Sequence, residues 1–426
     1  MARRLVRIGR LAAAVGMVAG SHFANASGVG LTMDEAIARM RAQSPDVLAA
    51  ALKVKAAEGD LRTAGAYPNP TLSVGVGNFA IGRTNPPGLG AGETVVVQGG
   101  LSEELELWGK RPARIAQAQS AIASAQSARG DLERTATFEV RRRFLGVLVA
   151  TERRRLAREN LDRYRETVRV SQARARSGDI SPADFNKIAL EQRGFEREVA
   201  DADLERQQAM AALLPLIGSE GDDVEPVGSL ALPPVPGTSA ALVDDALAKR
   251  PDLHEAESDV EAADAALELA HAEAWPNPTV GVGYTHSQFT VSGDLADQIG
   301  ANVSIALPVA NRNQGAIERA EAEALTAREA VHKLRLTIPR EVQTALAAYA
   351  SAKARVDRFE HQFLKQAEAA RKAAEVSYRD GAVSLLELLE AERTYIATQR
   401  DYLDALRDGH TAAYDVIRVT ALEVRP

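Results

Sequence analysis

From Thr71 to Gly77 the chain alternates: Leu72, Val74 and Val76 fall on one face, and Thr71, Ser73, Gly75 and Gly77 on the other. A period of two predicts a strand with one apolar face. The pattern returns later, with Val280, Val282 and Tyr284 opposite Thr279, Gly281, Gly283 and Thr285. Each run follows the same break, "AYPNP" at Ala66–Pro70 and "AWPNP" at Ala274–Pro278. Each is followed by a loop rich in turn residues, Phe79–Gly92 or Ser287–Asp297. A second alternating run comes next. Its apolar register is Val95, Val97, Leu101, Leu105 and Leu107 in the first case. In the second it is Ile299, Ala301, Val303, Ile305, Leu307 and Val309. The expectation is two hairpins, over 70–107 and 278–309.

The rest of the pattern is helical. Thr32–Gly65 predicts an amphipathic helix with Thr32 as N-cap and Glu35 completing a capping box. Leu242–Ala274 is its counterpart. Pro68 and Pro70, and again Pro276 and Pro278, mark where helix gives way to strand. Two very long helices are predicted over Lys110–Ser177 and Gln314–Asp380, the second with a kink at Pro339. At 1.5 Å per residue each reaches about 100 Å. A Gly-centred turn and a shorter helix follow each, Pro182–Leu214 and Leu385–Thr420. In each half the two shorter helices together match the long one in length, as a cylinder of uniform height requires.

The plan is therefore a tandem duplication. "LSEELELWGKRPARI" (Leu101–Ile115) aligns with "VSIALPVANRNQGAI" (Val303–Ile317), and "RSGDISPADF" (Arg176–Phe185) with "RDGAVSLLEL" (Arg379–Leu388). The expected domains are a first repeat over 27–217, a Pro/Gly-rich linker over 218–241 and a second repeat over 242–426.

The N-terminus changes the picture of location. A basic start, an apolar stretch from Leu11 to Gly20 and the triplet Ala24-Asn25-Ala26 predict a secretory signal peptide over 1–26, cleaved after Ala26. The apolar stretch falls short of the roughly 20 residues a spanning helix needs. With no Cys in the chain, a lipid anchor at the cleavage site, disulfides and thiol chemistry are excluded. The net charge of −7 argues against nucleic acid as a partner. Aromatic residues make up 4%, low for a compact enzyme core.

Four amphipathic strands on an exported chain without a spanning helix fit the wall of a transmembrane barrel. Four strands cannot close a barrel alone, since no edge can be left open in lipid. Two copies supply 8 strands and three supply 12. The alternative is a pair of soluble hairpins covered by helices.

The duplicated plan, both PNP breaks, "LELWGKRPARI", "LPVANRNQGAI" and the Gly turn before "SLLELLEAERTYIATQRDYLDAL" resemble the outer-membrane efflux protein (TolC) family. "NRNQGAI" (Asn311–Ile317) after "IALPVA" looks most like its heavy-metal branch, of the cobalt–zinc–cadmium type. The resemblance implies a mainly α fold with transmembrane β: a homotrimer whose 12-stranded β-barrel sits in outer-membrane lipid and continues as a periplasmic α-helical barrel. It implies an exit duct of a tripartite system, working with an inner-membrane resistance–nodulation–division pump and a periplasmic adaptor. The same architecture serves multidrug efflux and type I protein secretion, which stay open as alternatives. A soluble periplasmic coiled-coil adaptor is the rival from another class. Many relatives carry a Cys after the signal, and this chain departs from them.

The turns Gly178, Asp179, Ile180, Ser181 and Gly381, Ala382, Val383, Ser384 are expected as helix-hairpin tips with Gly at C′ and Ser as N-cap. By resemblance they are the adaptor-docking end, with Ile180 and Val383 as exposed apolar contacts. Asp179, Asp184, Asp380 and Glu387 lie beside them. They are either rings of charge at a periplasmic gate or solvated acids at helix ends. Tyr67 and Trp275 are either membrane-interface aromatics or packing groups at the collar.

Two arginine triplets, Arg141–Arg143 and Arg153–Arg155, are expected on a solvated face or in ion pairs between protomers. None of the seven His stands in a metal-ligating spacing, and the Gly residues of the strands make no nucleotide fingerprint. No catalytic group, cofactor or metal site is expected.

Overall fold

The structure is a computed structural model, and it describes residues 30–84, 87–219, 224–290 and 295–422. The proposed signal peptide and its cleavage point after Ala26 lie outside the described residues.

The chain opens with a two-residue strand, β1 (Gly30–Leu31), and two helices, α1 (Met33–Gln43) and α2 (Pro45–Ala64). Thr32 and Glu35 form the capping box: the Thr32 N–H donates to Glu35 at 2.8 Å and the Glu35 N–H to the Thr32 hydroxyl at 3.3 Å. The single helix expected over Thr32–Gly65 is in fact broken. Ser44 is extended at φ −62°, ψ 126°, and Pro45 opens α2 at N1. A residue before proline is pushed out of the helical region, which is the physical reason. The second repeat breaks at the matching place. Arg250 is extended between α5 (Ser239–Lys249) and α6 (Pro251–Glu273). Helix α5 also begins inside the expected linker, with Thr238 as its N-cap.

Strands β2 (Thr71–Gly77), β3 (Val96–Glu104), β5 (Thr279–Ser287) and β6 (Asp297–Ser304) form one antiparallel sheet in the order β2-β3-β5-β6. They are shorter than the expected runs: Leu105, Leu107, Ile305, Leu307 and Val309 lie past the strand ends. The two hairpins share one register. Leu72 faces Leu101 as Val280 faces Val303. The hairpins are joined to each other through β3 and β5, where Leu101 faces Val282. Leu72, Val74, Val282, Ile299 and Val303 are all exposed on this sheet, Ile299 to 86%. Both outer strands, β2 and β6, have one unpaired edge.

From β3 the chain enters α3 (Lys110–Ser177), 68 residues without interruption. It returns as α4 (Pro182–Leu213) and a short 3₁₀ turn, Leu214–Ile217. The next strand, β4 (Glu225–Pro226), pairs in parallel with β1, so the linker straps the two ends of the first repeat together. In the second repeat α7 (Gln314–Arg358) runs through Pro339 unbroken. A further irregularity follows at Phe359–Phe363, a π turn that leads into α8 (Leu364–Arg379). Helix α9 (Leu385–Thr420) closes the fold.

Four apolar clusters hold the helices. Leu31, Met40, Val140, Phe144 and Ile217 build one in the first repeat, and Leu242, Leu253, Ile338 and Val416 its counterpart in the second. A third, with Leu145, Val149, Val356 and Leu406, joins the repeats. The fourth, with Leu161, Tyr164, Ile188, Phe195 and Ile396, lies toward the tips.

Candidate functional site

The two helix-hairpin tips are built by local capping. After α3, Gly178 adopts φ +86°, a left-handed conformation that glycine enters without a Cβ penalty. The Gly178 N–H donates to Ala175 at 3.3 Å and the Asp179 N–H to Arg174 at 2.9 Å, closing off the last helical carbonyls. Ser181 then caps α4 by accepting from the Asp184 N–H at 3.1 Å. The second tip repeats the plan with Gly381 at φ +76°. Ser384 and Glu387 form a full capping box.

The four acids divide by role. Asp184 accepts from the Ser181 hydroxyl at 2.7 Å and from Lys187 at 3.3 Å, and these bonds hold its carboxyl below the usual range. Glu387 accepts from the Ser384 N–H at 2.8 Å. Asp179 accepts from the Ser177 hydroxyl at 2.6 Å. The Asp380 side chain has no hydrogen bond or ion pair among the described residues, and it is exposed. Ile180 and Val383, expected as exposed contacts, are half-buried. Ile180 packs on the apolar cluster around Tyr164 and Phe195, so burial draws it under the turn. Gly178, Asp179, Ser181, Gly381, Ala382 and Ser384 are the exposed part of the tips.

Behind the tips the two hairpins are tied together by residues that sequence patterns did not single out. Arg174 of α3 donates to the Tyr378 carbonyl of α8 at 3.1 Å and stacks 5.1 Å from its ring. Ser171 and the Tyr378 hydroxyl lie 3.5 Å apart. Higher up, Arg393 of α9 pairs with Glu191 of α4 at 2.6 Å, and Arg400 pairs with Glu198. The signal for this zipper was the seven-residue spacing of both members. Five of the six triplet arginines are absorbed within the chain too. Arg142 and Arg143 pair with Glu139, Arg153 with Glu205 and Asp404, Arg154 with Asp203, and Arg155 with Glu152 and Glu159.

At the other end stands the helix-to-strand junction. Helix α2 ends at Ala64, four residues before Pro68. A proline at 68 cannot donate to that carbonyl, and Arg114 donates to it instead at 3.4 Å. Pro276 and Pro278 hold the second break in extended chain, where Asn277 does the bonding. It accepts from the Leu107 N–H at 3.2 Å and donates to Glu104 at 2.8 Å. Pro68 and Pro70 flank Asn69 in the same way, at the free edge of the sheet. Tyr67 is 65% exposed with the Arg111 guanidinium 4.4 Å over its ring. Trp275 is 58% exposed and lies 5.5 Å from Trp108 in a tilted pair. Trp108, which also donates to the Pro276 carbonyl at 3.2 Å, is an aromatic that the repeat pattern did not reveal.

Among the described residues no group of three or more His, Cys, Asp or Glu is placed to hold a metal ion. Among them, too, no helix is long and apolar enough to cross a membrane.

Comparison with known proteins gives one family. A family model described as "Outer membrane efflux protein" matches residues 36–219 and 242–421. The chain is 27% identical over 391 residues to the cobalt-zinc-cadmium resistance protein CzcC of Cupriavidus metallidurans, covering 91% of this chain and 90% of that protein. It is 26% identical over 392 residues to the pyoverdine export outer membrane protein OpmQ of Pseudomonas aeruginosa, covering 86% and 80%. A crystal structure of CusC, described by its conformational changes on folding and transmembrane channel formation, superposes with a TM-score of 0.77 at 21% identity, over 92% of this chain and 93% of that one. That last likeness is one of fold.

Proposed function

The chain belongs to the outer membrane efflux protein family, and from that premise we propose that it is the exit duct of a tripartite efflux system carrying heavy-metal cations out of the periplasm. The observation that carries this reading is the open sheet. Four strands with an exposed apolar face and two unpaired edges are unusable alone in lipid. Three copies joined edge to edge close a 12-stranded barrel, and the helices below each sheet continue it as a tunnel. The family is one of efflux conduits, and the energy comes from a partner pump of the resistance–nodulation–division type in the inner membrane.

A periplasmic adaptor docks on the tips, at Asp179, Ser181, Gly381, Ala382 and Ser384, with Ile180 and Val383 as the half-buried apolar floor. Asp179, Asp184, Asp380 and Glu387 form three-fold rings at the periplasmic gate, Asp380 being the one whose charge is not engaged. The repeats 27–217 and 242–426 are the units that each supply one hairpin to the barrel. Tyr67, Trp108 and Trp275 lie at the periplasmic face of the outer membrane, where amphipathic rings are favoured at the boundary with water. Cleavage after Ala26 belongs to the same reading and is read out by the intact mass of the mature chain.

The metal substrate rests on the name of the CzcC relative. The OpmQ relative supports a second reading, an organic cargo. Deletion of the gene followed by a panel of cobalt, zinc, cadmium, nickel, copper, silver and organic toxicants decides between them. Loss of metal tolerance is the expected outcome; unchanged metal tolerance with lost tolerance to organic compounds overturns it. Membrane fractionation tests the duct itself: recovery in the soluble periplasm would sink it.

A further inference from the structure

Of the six arginines in the two triplets, five sit on carboxylates of this chain, as described above. Arg141 does not. Among the described residues it makes no hydrogen bond and no ion pair; its guanidinium only stacks 5.8 Å from the ring of Tyr414. It is half-buried on α3. Burial pushes its pKa down, which Tyr414 and Asp34 partly oppose and Arg41 reinforces. A cation taken partly out of water without a direct ion pair is unfavourable, and among the described residues Asp34 and Tyr414 relieve it only in part.

Arg141 opens into a groove of about 480 Å³, within the size range of small-molecule sites. Four more cations line it: Arg41, Arg134, Lys249 and Arg418, against the single carboxylate of Glu133. Most of these charges are spoken for. Arg134 pairs with Asp131 at 2.5 Å, Arg418 with Asp415 at 2.6 Å, Lys249 with Asp245 at 2.5 Å, and Glu133 with Arg129 at 3.0 Å. Arg41, at the exposed rim, has no hydrogen bond or ion pair among the described residues. Two guanidinium groups thus line one groove with neither in an ion pair among the described residues. Phe138, Tyr414 and Ile417 supply apolar wall beside them.

We propose that this groove is a binding site for a small oxyanion, a phosphate or carboxylate group, held by Arg141 and Arg41. A planar guanidinium offers paired donors that match two oxygens of such a group. The site straddles the two repeats. Arg41 and Arg141 come from α1 and α3, and Lys249 and Arg418 from the end of α5 and from α9. A bound oxyanion therefore ties one repeat to the other, at a place unrelated to the tips and the barrel.

The test uses the full-length protein in detergent. Inorganic phosphate and citrate are titrated at constant ionic strength, with chloride as the reference, and followed by calorimetry and by thermal unfolding. Wild type is expected to show saturable binding and a rise in Tm that saturates with it. Arg141→Met should weaken affinity at least about tenfold, the scale of one lost charge-assisted bond, and Arg141→Lys should restore part of it. Arg41→Gln should weaken it several-fold. Arg142→Gln, whose side chain pairs with Glu139 outside the groove, should leave it unchanged. No saturable response to either anion in wild type overturns the proposal, and so does a response that Arg141→Met retains. If Arg141→Met fails to fold, Arg41→Gln decides: lower affinity upholds the site and unchanged affinity overturns it.

Discussion

Arg250 stands in the break between α5 and α6 with its side chain 4% exposed. It donates to Asp252 at 2.6 Å and to Glu341 at 2.5 Å, and to the Val419 carbonyl at 3.5 Å. One residue thereby fixes the break to α7 and α9. Arg250→Ala leaves two carboxylates without their cation, and we expect a loss of about 3 kcal/mol in stability, measured by denaturant unfolding. Asp252 carries the pH dependence. Burial pushes its pKa up, but the bond to Arg250 and the neighbouring charges outweigh this and hold it low. Its contribution is therefore complete above the ordinary carboxylate range, about pH 4, and is lost as pH falls through the lowered value. Acid unfolding followed by circular dichroism should show this loss in wild type and not in Arg250→Ala. At the tip end, Arg174→Ala removes both the bond and the stacking on Tyr378. The two hairpins then part more readily, and single-channel recordings should show a raised conductance. Unchanged conductance would deny the pair any hold on the opening. At this scale the tips were legible and the ties were not. Gly178, Ser181, Gly381 and Ser384 act on atoms a few residues away, so a short window shows them. Arg174 and Tyr378, or Arg250 and Glu341, meet across long stretches of chain, and no local pattern marks which arginine will find which carboxylate.

Helix and strand positions followed from periodicity, because burying one face of a strand or helix leaves a repeating mark. Irregularities inside helices left a fainter one. Pro45 and Pro251 each begin a helix, a position where proline is favoured, and the helical pattern on both sides hid the break. Pro339 drew attention to itself, yet α7 passes through it. The π turn at Phe359–Phe363 has no signature residue. It packs Phe359 edge-on against Phe363 at 5.4 Å, and Glu360 accepts from the Tyr402 hydroxyl at 2.8 Å. A π turn holds one residue more than the α-helical ladder needs. Deleting the exposed His361 should therefore regularise the helix and leave α8 in phase, with Tyr378 still on Arg174. Deleting Ala370, within regular helix, should rotate everything beyond it by about 100° and separate that pair. Thermal unfolding compares the two deletions: a small drop in Tm is expected for the first and a large one for the second. Equal losses would refute the distinction.

The whole molecule is organised by its sheet. Both hairpins have the same register, so the joint between them predicts the one proposed between neighbouring copies. Within the chain Ser102 faces Gly281. Carried over by the repeat, that pair becomes Ser304 of β6 opposite Ser73 of β2 in the next protomer. The chain has no Cys of its own, so a cysteine pair gives a clean test. Ser304→Cys with Ser73→Cys should yield a trimer on denaturing gels that reducing agent dissolves. Ser304→Cys with Gly75→Cys, displaced by two residues, should not. Cross-linking of the displaced pair alone would refute the carried-over register.

Helices α4 and α9 occupy the same place in their repeats, yet they meet through different residues. One presents Glu191 and Glu198, the other Arg393 and Arg400, seven residues apart in each case. By the alignment of the tips, Leu190 is the counterpart of Arg393 and Thr394 that of Glu191, so a chain built from either half twice would lose the Arg393–Glu191 pair. The halves are no longer interchangeable. The symmetry persists where it shapes the chain, in the PNP breaks and the Gly and Ser caps, and has lapsed where the halves meet.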